Sequence, residues 1–272
     1  MTTMGKLDFR LQRMQSAYTK EDPPPNRVKP VPVMVIRRIL AIAQQSHCPC
    51  TTALADMIGL AFFFLLRPGE YTDSQSDTPP FQLQDVQLFI GQHRLNLLTA
   101  SNAQLFTATF STLTFRDQKN GVVRGEVIGL SHSGNPQLSP PRILACRVIH
   151  LRTRHAPVGA PLSRVYMPDG HTKSVKPADI TAALKAAVTF LGPQLGFLAS
   201  EVTAQCLHAT GANALLCANV DPDIISLLGR WTSDQMLRYL FVQAAPLMQD
   251  YSRRMLAGGT FTLIPNQWVT SF

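Results

Sequence analysis

The alternation of apolar and polar residues divides the chain into a polar start, a helical part, a strand-rich part and a second helical part. Residues 1 to about 30 are polar and end in EDPPPNRVKPVP, whose stacked prolines predict an extended connector. Apolar residues then recur at helical spacing, with Arg37 and Arg38 pointing away from them. The predicted buried face of this first helix consists of Val35, Ile36, Ile39, Leu40 and Ile42.

The next segment, from about Thr52 to Leu66, is apolar nearly all round and predicts a helix at the centre of the fold. We expect it to stop at Arg67-Pro68-Gly69, because proline and glycine both resist helix continuation. Its apolar run is shorter than the roughly 20 residues that a membrane helix needs, and it contains Asp56. The sequence therefore predicts no membrane partner.

Residues from about 80 to 130 have the composition of strands. β-branched and aromatic residues dominate Val86 to Ile90, Leu105 to Phe115 and Val122 to Leu130. Asn120-Gly121 lies between the last two segments and is a strong signal for a hairpin turn, because both residues tolerate positive φ. The sequence predicts a small antiparallel sheet here.

Helical spacing returns after this region. Prolines at 140–141 and 177 are expected to begin two helices. Their predicted buried faces are Leu144, Val148 and Leu151 in the first helix, and Ile180, Leu184 and Val188 in the second. Further helices are predicted at about 202–218, 222–229 and 233–246. Helices, then a small antiparallel sheet, then many helices indicate a mostly helical α+β domain.

Charge and cysteine usage narrow the class of partner. The formal net charge of +8 favours an anionic partner such as nucleic acid, although a basic protein without such a partner fits the charge equally well. The charged N-terminus does not resemble a signal peptide, and the five cysteines form no paired framework. We therefore expect reduced thiols in an intracellular protein, nuclear if its host is eukaryotic. His47, Cys48 and Cys50 are close together, but no second ligand pair follows at zinc-site spacing, so incidental thiols are the favoured interpretation.

Several short segments carry residues suited to phosphodiester chemistry. They are LRPGE at 66–70, QKNG at 118–121, QCLHATGANA at 205–214, LLGRWTSD at 227–234 and LRYL at 237–240. In their order and spacing they resemble the catalytic domain of the tyrosine recombinases, in particular the crypton type. The resemblance runs from about Pro25 to Leu256. It implies the tyrosine recombinase catalytic-domain fold.

Tyrosine recombinases cleave DNA with a tyrosine hydroxyl that attacks a phosphodiester and leaves a 3′-phosphotyrosyl link. The resemblance implies that Tyr239 is this nucleophile and that Arg67 holds the scissile phosphate through its planar, charged guanidinium. Glu70 would brace the site, and Lys119 on the hairpin would donate a proton to the leaving oxygen. The family's chemistry needs no metal and no nucleotide, so no cofactor is expected.

The last segments offer two residues for one position of the site, the position that His or Trp occupies in the family. Arg230 stands nine residues before Tyr239, which is the spacing that the family uses between its His or Trp and its nucleophile. Trp231 is one residue off this register and is an alternative partner for the site. Tyr251 lacks the preceding segment and is the weaker candidate for the nucleophile.

Two positions depart from the family pattern. Gln205 occupies the place of the histidine in the family's His-x-x-Arg helix, and His208 occupies the place of the second arginine. Histidine lacks the bidentate fork and is mostly uncharged near neutral pH at an unperturbed pKa of ~6.5. Losing one preorganised contact to developing charge commonly costs ~3 to 4 kcal/mol, or roughly 100- to 1000-fold in rate. We therefore expect catalysis to be strongly impaired.

The resemblance also implies a domain organisation. Residues 1–30 would be a proline-rich connector, a remnant of an N-terminal core-binding region, and residues 31–258 the catalytic domain. The apolar segment 259–272 would dock on a neighbouring protomer or on its own chain. The leading hypothesis is a protein derived from a mobile element that binds double-stranded DNA, with weak or lost catalysis. The alternatives are a working recombinase with His208 as a phosphate ligand, and a structural or interaction protein that retains only the fold.

Overall fold

A first group of helices, a small antiparallel sheet and a second group of helices follow one another in the computed structural model, which describes residues 29–74, 79–116, 126–230 and 250–260. The helices of these ranges are α1 (Val33–Ser46), α2 (Pro49–Phe63), α3 (Pro68–Tyr71), α4 (Asn102–Phe106), α5 (Pro140–Thr153), α6 (Pro177–Leu191), α7 (Cys206–Cys217), α8 (Pro222–Gly229) and α9 (Tyr251–Gly258). The strands are β1 (Val86–Ile90), β2 (His93–Arg94), β3 (Phe110–Phe115), β4 (Glu126–Ser131), β5 (Arg164–Tyr166) and β6 (Thr172–Ser174). The prediction of a mostly helical α+β domain with a small antiparallel sheet is confirmed.

Helix α2 lies at the centre of the fold. Ala53 and residues 55–63 are buried, which confirms the prediction that a helix apolar nearly all round lies at the centre of the fold. Helices α1, α5 and α7 all pack against it. One hydrophobic core, which includes residues from Val31 to Leu256, surrounds it.

The end of α2 differs from the prediction. The helix stops at Phe63 instead of continuing to the Arg67-Pro68-Gly69 segment, because Leu65 adopts the left-handed conformation with φ of 49°. The Leu66 N–H donates to the carbonyl of Ala61 at 3.0 Å, which is the long bond of a Schellman cap. Glycine usually occupies the left-handed position of this cap, so the leucine gives no sequence signal for the turn.

Helix α1 buries a narrower face than predicted. Val35, Ile36 and Ile39 are buried as expected, but Ile42 is 39% exposed and Ala43 takes the inner position one residue later. Arg38 does not point away from the fold. Its guanidinium lies 3.7 Å from the centre of the Phe190 ring on α6, a cation–π contact that draws the side chain across the neighbouring helix.

The main sheet has the strand order β2-β1-β3-β4, with all neighbours antiparallel. Strand β1 has the predicted bounds, but β3 begins at Phe110 instead of Leu105. The reason is a capping box that starts α4. Ser101 Oγ accepts from the Gln104 N–H at 3.2 Å, and the Ser101 N–H donates to Gln104 Oε1 at 2.8 Å. Strands β3 and β4 pair from Phe110↔Ser131 to Phe115↔Glu126, while the predicted Asn120-Gly121 turn lies outside the described residues.

The later helices follow the prediction closely, whereas a second hairpin was missed. Helix α8 has the predicted bounds, and the predicted inner residues of α5 and α6 are all buried. Strands β5 and β6 form a separate two-stranded sheet. The buried Arg147 of α5 holds it, because its guanidinium donates to the carbonyls of Leu162 at 2.9 Å and Arg164 at 2.5 Å.

The start of the described part of the chain is hydrogen-bonded to α7 and to the residue that follows α9. The Val31 N–H donates to Thr210 Oγ1 at 2.9 Å, and the Val33 N–H donates to the Gly259 carbonyl at 2.8 Å. The connector up to residue 28, the predicted helix at 233–246 and the segment from 261 onwards lie outside the described residues. Within the described ranges, none of the helices has the length and apolar character required to cross a membrane.

Replacing Gly211 with alanine tests the close approach of α7 to α2. A Cβ at this position would lie 2.2 Å from the Phe62 carbonyl oxygen, a backbone atom that has no free path away. We expect Gly211→Ala to lower the free energy of unfolding by about 2–3 kcal/mol through overpacking, measured by urea denaturation. Gly159→Ala is the matched control, because its Cβ would meet only Gln82 Oε1 at 3.5 Å, an ordinary contact. Equal midpoints for the two variants would contradict this packing.

Asp56, in the middle of α2, makes folding depend on pH. Burial raises the pKa of this carboxyl from 3.8 to about 7, against the opposing charge of Arg147. In the unfolded chain the Asp56 carboxyl loses its proton above about pH 4, whereas in the folded chain it keeps its proton to about pH 7. Stability therefore declines as pH rises through this window, relative to an Asp56→Asn variant that does not titrate. Urea midpoints of both proteins at pH 5, 6, 7 and 8 measure the effect, and parallel curves would exclude it.

Candidate active site

The buried C-terminal end of α2 presents backbone carbonyls that need hydrogen-bond donors. Phe64 and Leu65 are each 1% exposed, and their carbonyls are beyond the last bonds of the helix. Water does not reach them at this depth, so side chains must supply the donors. Two of the residues that the sequence analysis singled out, Arg230 and His208, do so.

Arg230 directly follows α8 and turns into the core through a left-handed backbone with φ of 56°. Its Nη1 donates to the Phe64 carbonyl at 3.2 Å, and its Nη2 donates to the Leu65 carbonyl at 3.1 Å. The same Nη2 lies 2.8 Å and 3.1 Å from the two carboxylate oxygens of Glu70. The guanidinium also lies 4.0 Å from the centre of the Phe115 ring. Both Nη atoms of Arg230 are therefore hydrogen-bonded inside the protein, and 1% of its side chain is exposed.

Glu70 connects the two arginines. Its Oε2 accepts from the Arg67 N–H at 2.7 Å, which caps the start of α3, and from Arg230 Nη2. The Arg67 guanidinium is farther away, with Nη1 4.0 Å from Glu70 Oε1, and 31% of its side chain is exposed. Of the two arginines, Arg67 is thus the one that solvent or a ligand can reach.

His208, on α7, binds the same carbonyl as Arg230. Its Nδ1 lies 2.8 Å from the Leu65 oxygen. A carbonyl only accepts hydrogen bonds, so the proton of the neutral ring is on Nδ1 and Nε2 carries the lone pair. Burial lowers the pKa of His208 from 6.5 to about 4, and the charge of Arg67 acts in the same direction. His208 is therefore uncharged at neutral pH.

The structure brings four of the predicted site residues into one network, namely Arg67, Glu70, His208 and Arg230. Gln205 is exposed immediately before α7, and among the described residues no hydrogen bond joins it to this network. Tyr251 is buried at the start of α9, where burial raises the pKa of its hydroxyl, opposite to what a nucleophile needs. Lys119, Trp231 and Tyr239 lie outside the described residues.

The sequence analysis did not predict that residues at the base of the β3–β4 hairpin interact with Arg230. Phe115 ends β3 beneath the Arg230 guanidinium, with Glu126 opposite it on β4. Burial lowers the pKa of Arg230, and the negative charges of Glu70 and, to a smaller extent, Glu126 act against this lowering. Strand β3 therefore ends beside Arg230, and residues 117–125, which include Lys119, lie outside the described residues. An aromatic residue at a strand end is common, so nothing in the sequence marked Phe115 as part of the site.

Searches of the chain against protein-family models and against curated proteins find no match.

Removing the Glu70 charge should destabilise the fold through Arg230. Glu70→Gln keeps the shape but leaves Arg230 buried without this counter-charge, which costs about 3–5 kcal/mol of unfolding free energy when a buried pair is broken. In the Glu70→Gln/Arg230→Met double variant the loss should be smaller than the sum of the two single losses. Urea denaturation of all four proteins measures this coupling.

The exposed pair between Arg253 and Asp250 provides the control for this measurement. Its side chains are 70% and 47% exposed, so Asp250→Asn should change stability by less than about 1 kcal/mol. Strictly additive losses at Glu70 and Arg230 would show that the two side chains do not stabilise each other.

Proposed function

We propose that this chain is a DNA-binding protein related to the tyrosine recombinases, with catalytic activity that is weak or lost. The observation that carries the proposal is the convergence of Arg67, Glu70, His208 and Arg230 at the end of α2. Three sequence segments contribute these residues, and the first, 66–70, is far along the chain from the other two, 205–214 and 227–234. Their order and spacing were the basis of the resemblance, and their proximity is what a shared phosphate site requires.

In the proposed reaction the Tyr239 hydroxyl releases its proton to solvent water, and its oxygen attacks the phosphorus of a phosphodiester. The bond from phosphorus to the 5′ oxygen breaks, and that oxygen takes a proton from Lys119. The product is a 3′-phosphotyrosyl link that conserves the energy of the broken bond, so the reverse attack by another 5′ hydroxyl needs no nucleotide. Arg67 would bind the non-bridging oxygens as negative charge develops on them.

The charges around Arg67 favour weakened catalysis. Glu70 neutralises Arg230, and His208 is uncharged at neutral pH, so a single net positive charge remains on the network. The Nδ1 proton of His208 is already donated to the Leu65 carbonyl. A second cation facing the phosphate is therefore missing, which corresponds to roughly 100- to 1000-fold in rate. The alternative in which His208 is a phosphate ligand fits this geometry less well.

A structural or interaction protein is the second candidate function. The observation that favours it is that both Arg230 and His208 cap buried carbonyls, a task that the fold needs whether or not DNA is bound. In this case the network would persist without a ligand. DNA binding separates the two candidates, because a phosphate-contacting protein loses affinity steeply with added salt.

The test is an incubation of the full chain with nicked suicide duplexes drawn from the DNA that flanks its gene, followed by a denaturing gel. We expect salt-sensitive binding to these duplexes and no covalent adduct. The variant Gln205→His/His208→Arg restores the family pattern, and we expect it to form an adduct. The matched control adds Tyr239→Phe to the restored variant and should abolish that adduct.

Each result distinguishes the candidates. An adduct from the unaltered protein that disappears in Tyr239→Phe would establish an active enzyme and contradict the weakened site. No measurable affinity for DNA at low salt would favour the structural protein. Binding without an adduct in either protein would overturn the assignment of Tyr239, provided that the restored variant melts at the same temperature as the unaltered chain.

A further inference from the structure

An open groove lies beside strand β2, between the segment that follows this strand and the loop that follows α5. Its volume is about 430 Å³, within the range of roughly 300–1000 Å³ that ligand sites commonly have. Leu83, Val86 and Leu95 are buried and line its inner part. Leu98 and Val158 also line it and are 62% and 52% exposed, so apolar surface continues to the rim. We call this site the β2 groove.

Hydrogen bonds fix both sides of the β2 groove. On one side, the Leu97 carbonyl accepts from Arg152 Nη1 of α5 at 3.0 Å. On the other side, the Gln84 N–H donates to the Val158 carbonyl at 2.9 Å. The groove is therefore shaped without a ligand, and a ligand that enters it does not have to order these two segments.

Strand β2 offers unpaired backbone groups beside the groove. It is the outer strand of the main sheet, and the Leu95 N–H donates to the Leu88 carbonyl of β1 at 2.8 Å. Hydrogen-bonded positions alternate along an antiparallel pair of strands. Arg94, which precedes Leu95 and lines the groove, therefore directs its N–H and its carbonyl away from β1, toward the open edge of the sheet. An edge of this kind can pair with the backbone of an extended segment.

The charge around the β2 groove is positive. Residues 86–116 and 127–168, which contain most of its lining, include neither aspartate nor glutamate. Asp85 is adjacent in sequence, but it is buried, and Arg116 binds its carboxylate at 2.6 Å. Arg94 and Arg154 are exposed, and within the described ranges neither guanidinium has a hydrogen bond or an ion pair. These charges favour an occupant that carries acidic groups.

The lining argues against a nucleic acid as this occupant, because phosphates need donors and most of the groove is apolar. The side-chain amides of the lining already make internal bonds. Gln84 Nε2 donates to Gln82 Oε1 at 2.7 Å, and Asn96 Oδ1 accepts from the Leu98 N–H at 2.9 Å.

A protein segment uses all three features of the groove, namely its apolar lining, the open strand edge and the two exposed arginines. We propose that the β2 groove binds an extended segment of a partner protein that carries apolar side chains with acidic residues beside them. Its apolar side chains contact Leu98 and Val158, its backbone pairs with Arg94, and its carboxylates face Arg94 and Arg154. None of the lining residues belongs to the network around Leu65, so this binding does not depend on the proposed relation to recombinases.

Selection of a random-peptide display library on the immobilised full chain tests the proposal. We expect the enriched peptides to combine leucine, isoleucine, valine or phenylalanine with aspartate or glutamate. The affinity of one enriched peptide, synthesised with a fluorophore, is then measured by fluorescence anisotropy. Leu98→Asp and Val158→Asp should each weaken it by about 10-fold or more, because each removes an apolar contact and repels the acidic peptide. Arg94→Gln should weaken it by about 2- to 5-fold and reduce its dependence on salt.

Leu198→Asp is the matched control, because Leu198 is 68% exposed and lies outside the groove. It should bind the peptide as the unaltered chain does, and affinities are compared at equal melting temperatures. A library without enriched peptides, or enriched peptides without acidic residues, would overturn the proposal. So would unchanged affinity in both Leu98→Asp and Val158→Asp, or an equal loss in Leu198→Asp. Displacement of the peptide by a short DNA duplex whose own affinity falls in Val158→Asp would assign the groove to nucleic acid instead.

Discussion

The carbonyls of Phe64 and Leu65 at the end of α2 constrain the rest of the structure. A helix surrounded by the core must end inside the core, and each buried carbonyl without a donor costs about 1–3 kcal/mol. His208 and Arg230 supply the donors from α7 and from the end of α8. Glu70 then balances the charge that Arg230 brings into the interior. The end of one helix thus determines how three later segments of the chain must pack.

The hydrogen bonds to the Leu65 carbonyl also explain the strained backbone of this residue. Leu65 adopts a left-handed conformation that costs a leucine roughly 1–2 kcal/mol. The conformation aims its carbonyl at both His208 and Arg230, and the bonds from these two side chains offset the cost. Strain of this kind is often found at functional sites, but here a structural role accounts for it without a ligand. A phosphate bound beside Arg67 would therefore meet a network in which both Nη atoms of Arg230 and the Nδ1 atom of His208 are already hydrogen-bonded.

The sequence predicted the parts of the fold that periodicity determines. The apolar surroundings of α2, the bounds of β1 and α8, and the inner faces of α5 and α6 all follow from spacing and from helix-starting prolines. The ends of helices were harder to predict. At the end of α2 a leucine occupies the left-handed position where glycine is usual, so the sequence did not mark the turn. The start of β3 was predicted too early, because the strand-like residues that follow Ser101 and Gln104 were a stronger signal than the capping box that these two residues form. The network around Leu65 was only partly predictable, since motif order identified its side chains but not the carbonyls that hold them.

The polarity of the central helix also explains which groups interact with its two ends. A helix that is apolar all round satisfies its own backbone along its length, so only its ends offer unpaired donors and acceptors to the protein. Its N-terminal end offers N–H groups, which stabilise the sulfur of Cys48 as negative charge develops on it. Its C-terminal end offers carbonyls, which attract the cation of Arg230. The carboxyl of Asp56, between the two ends, keeps its proton to about pH 7 because it is buried. The candidate active site of this protein thus follows from the polarity of the C-terminal end of one buried helix.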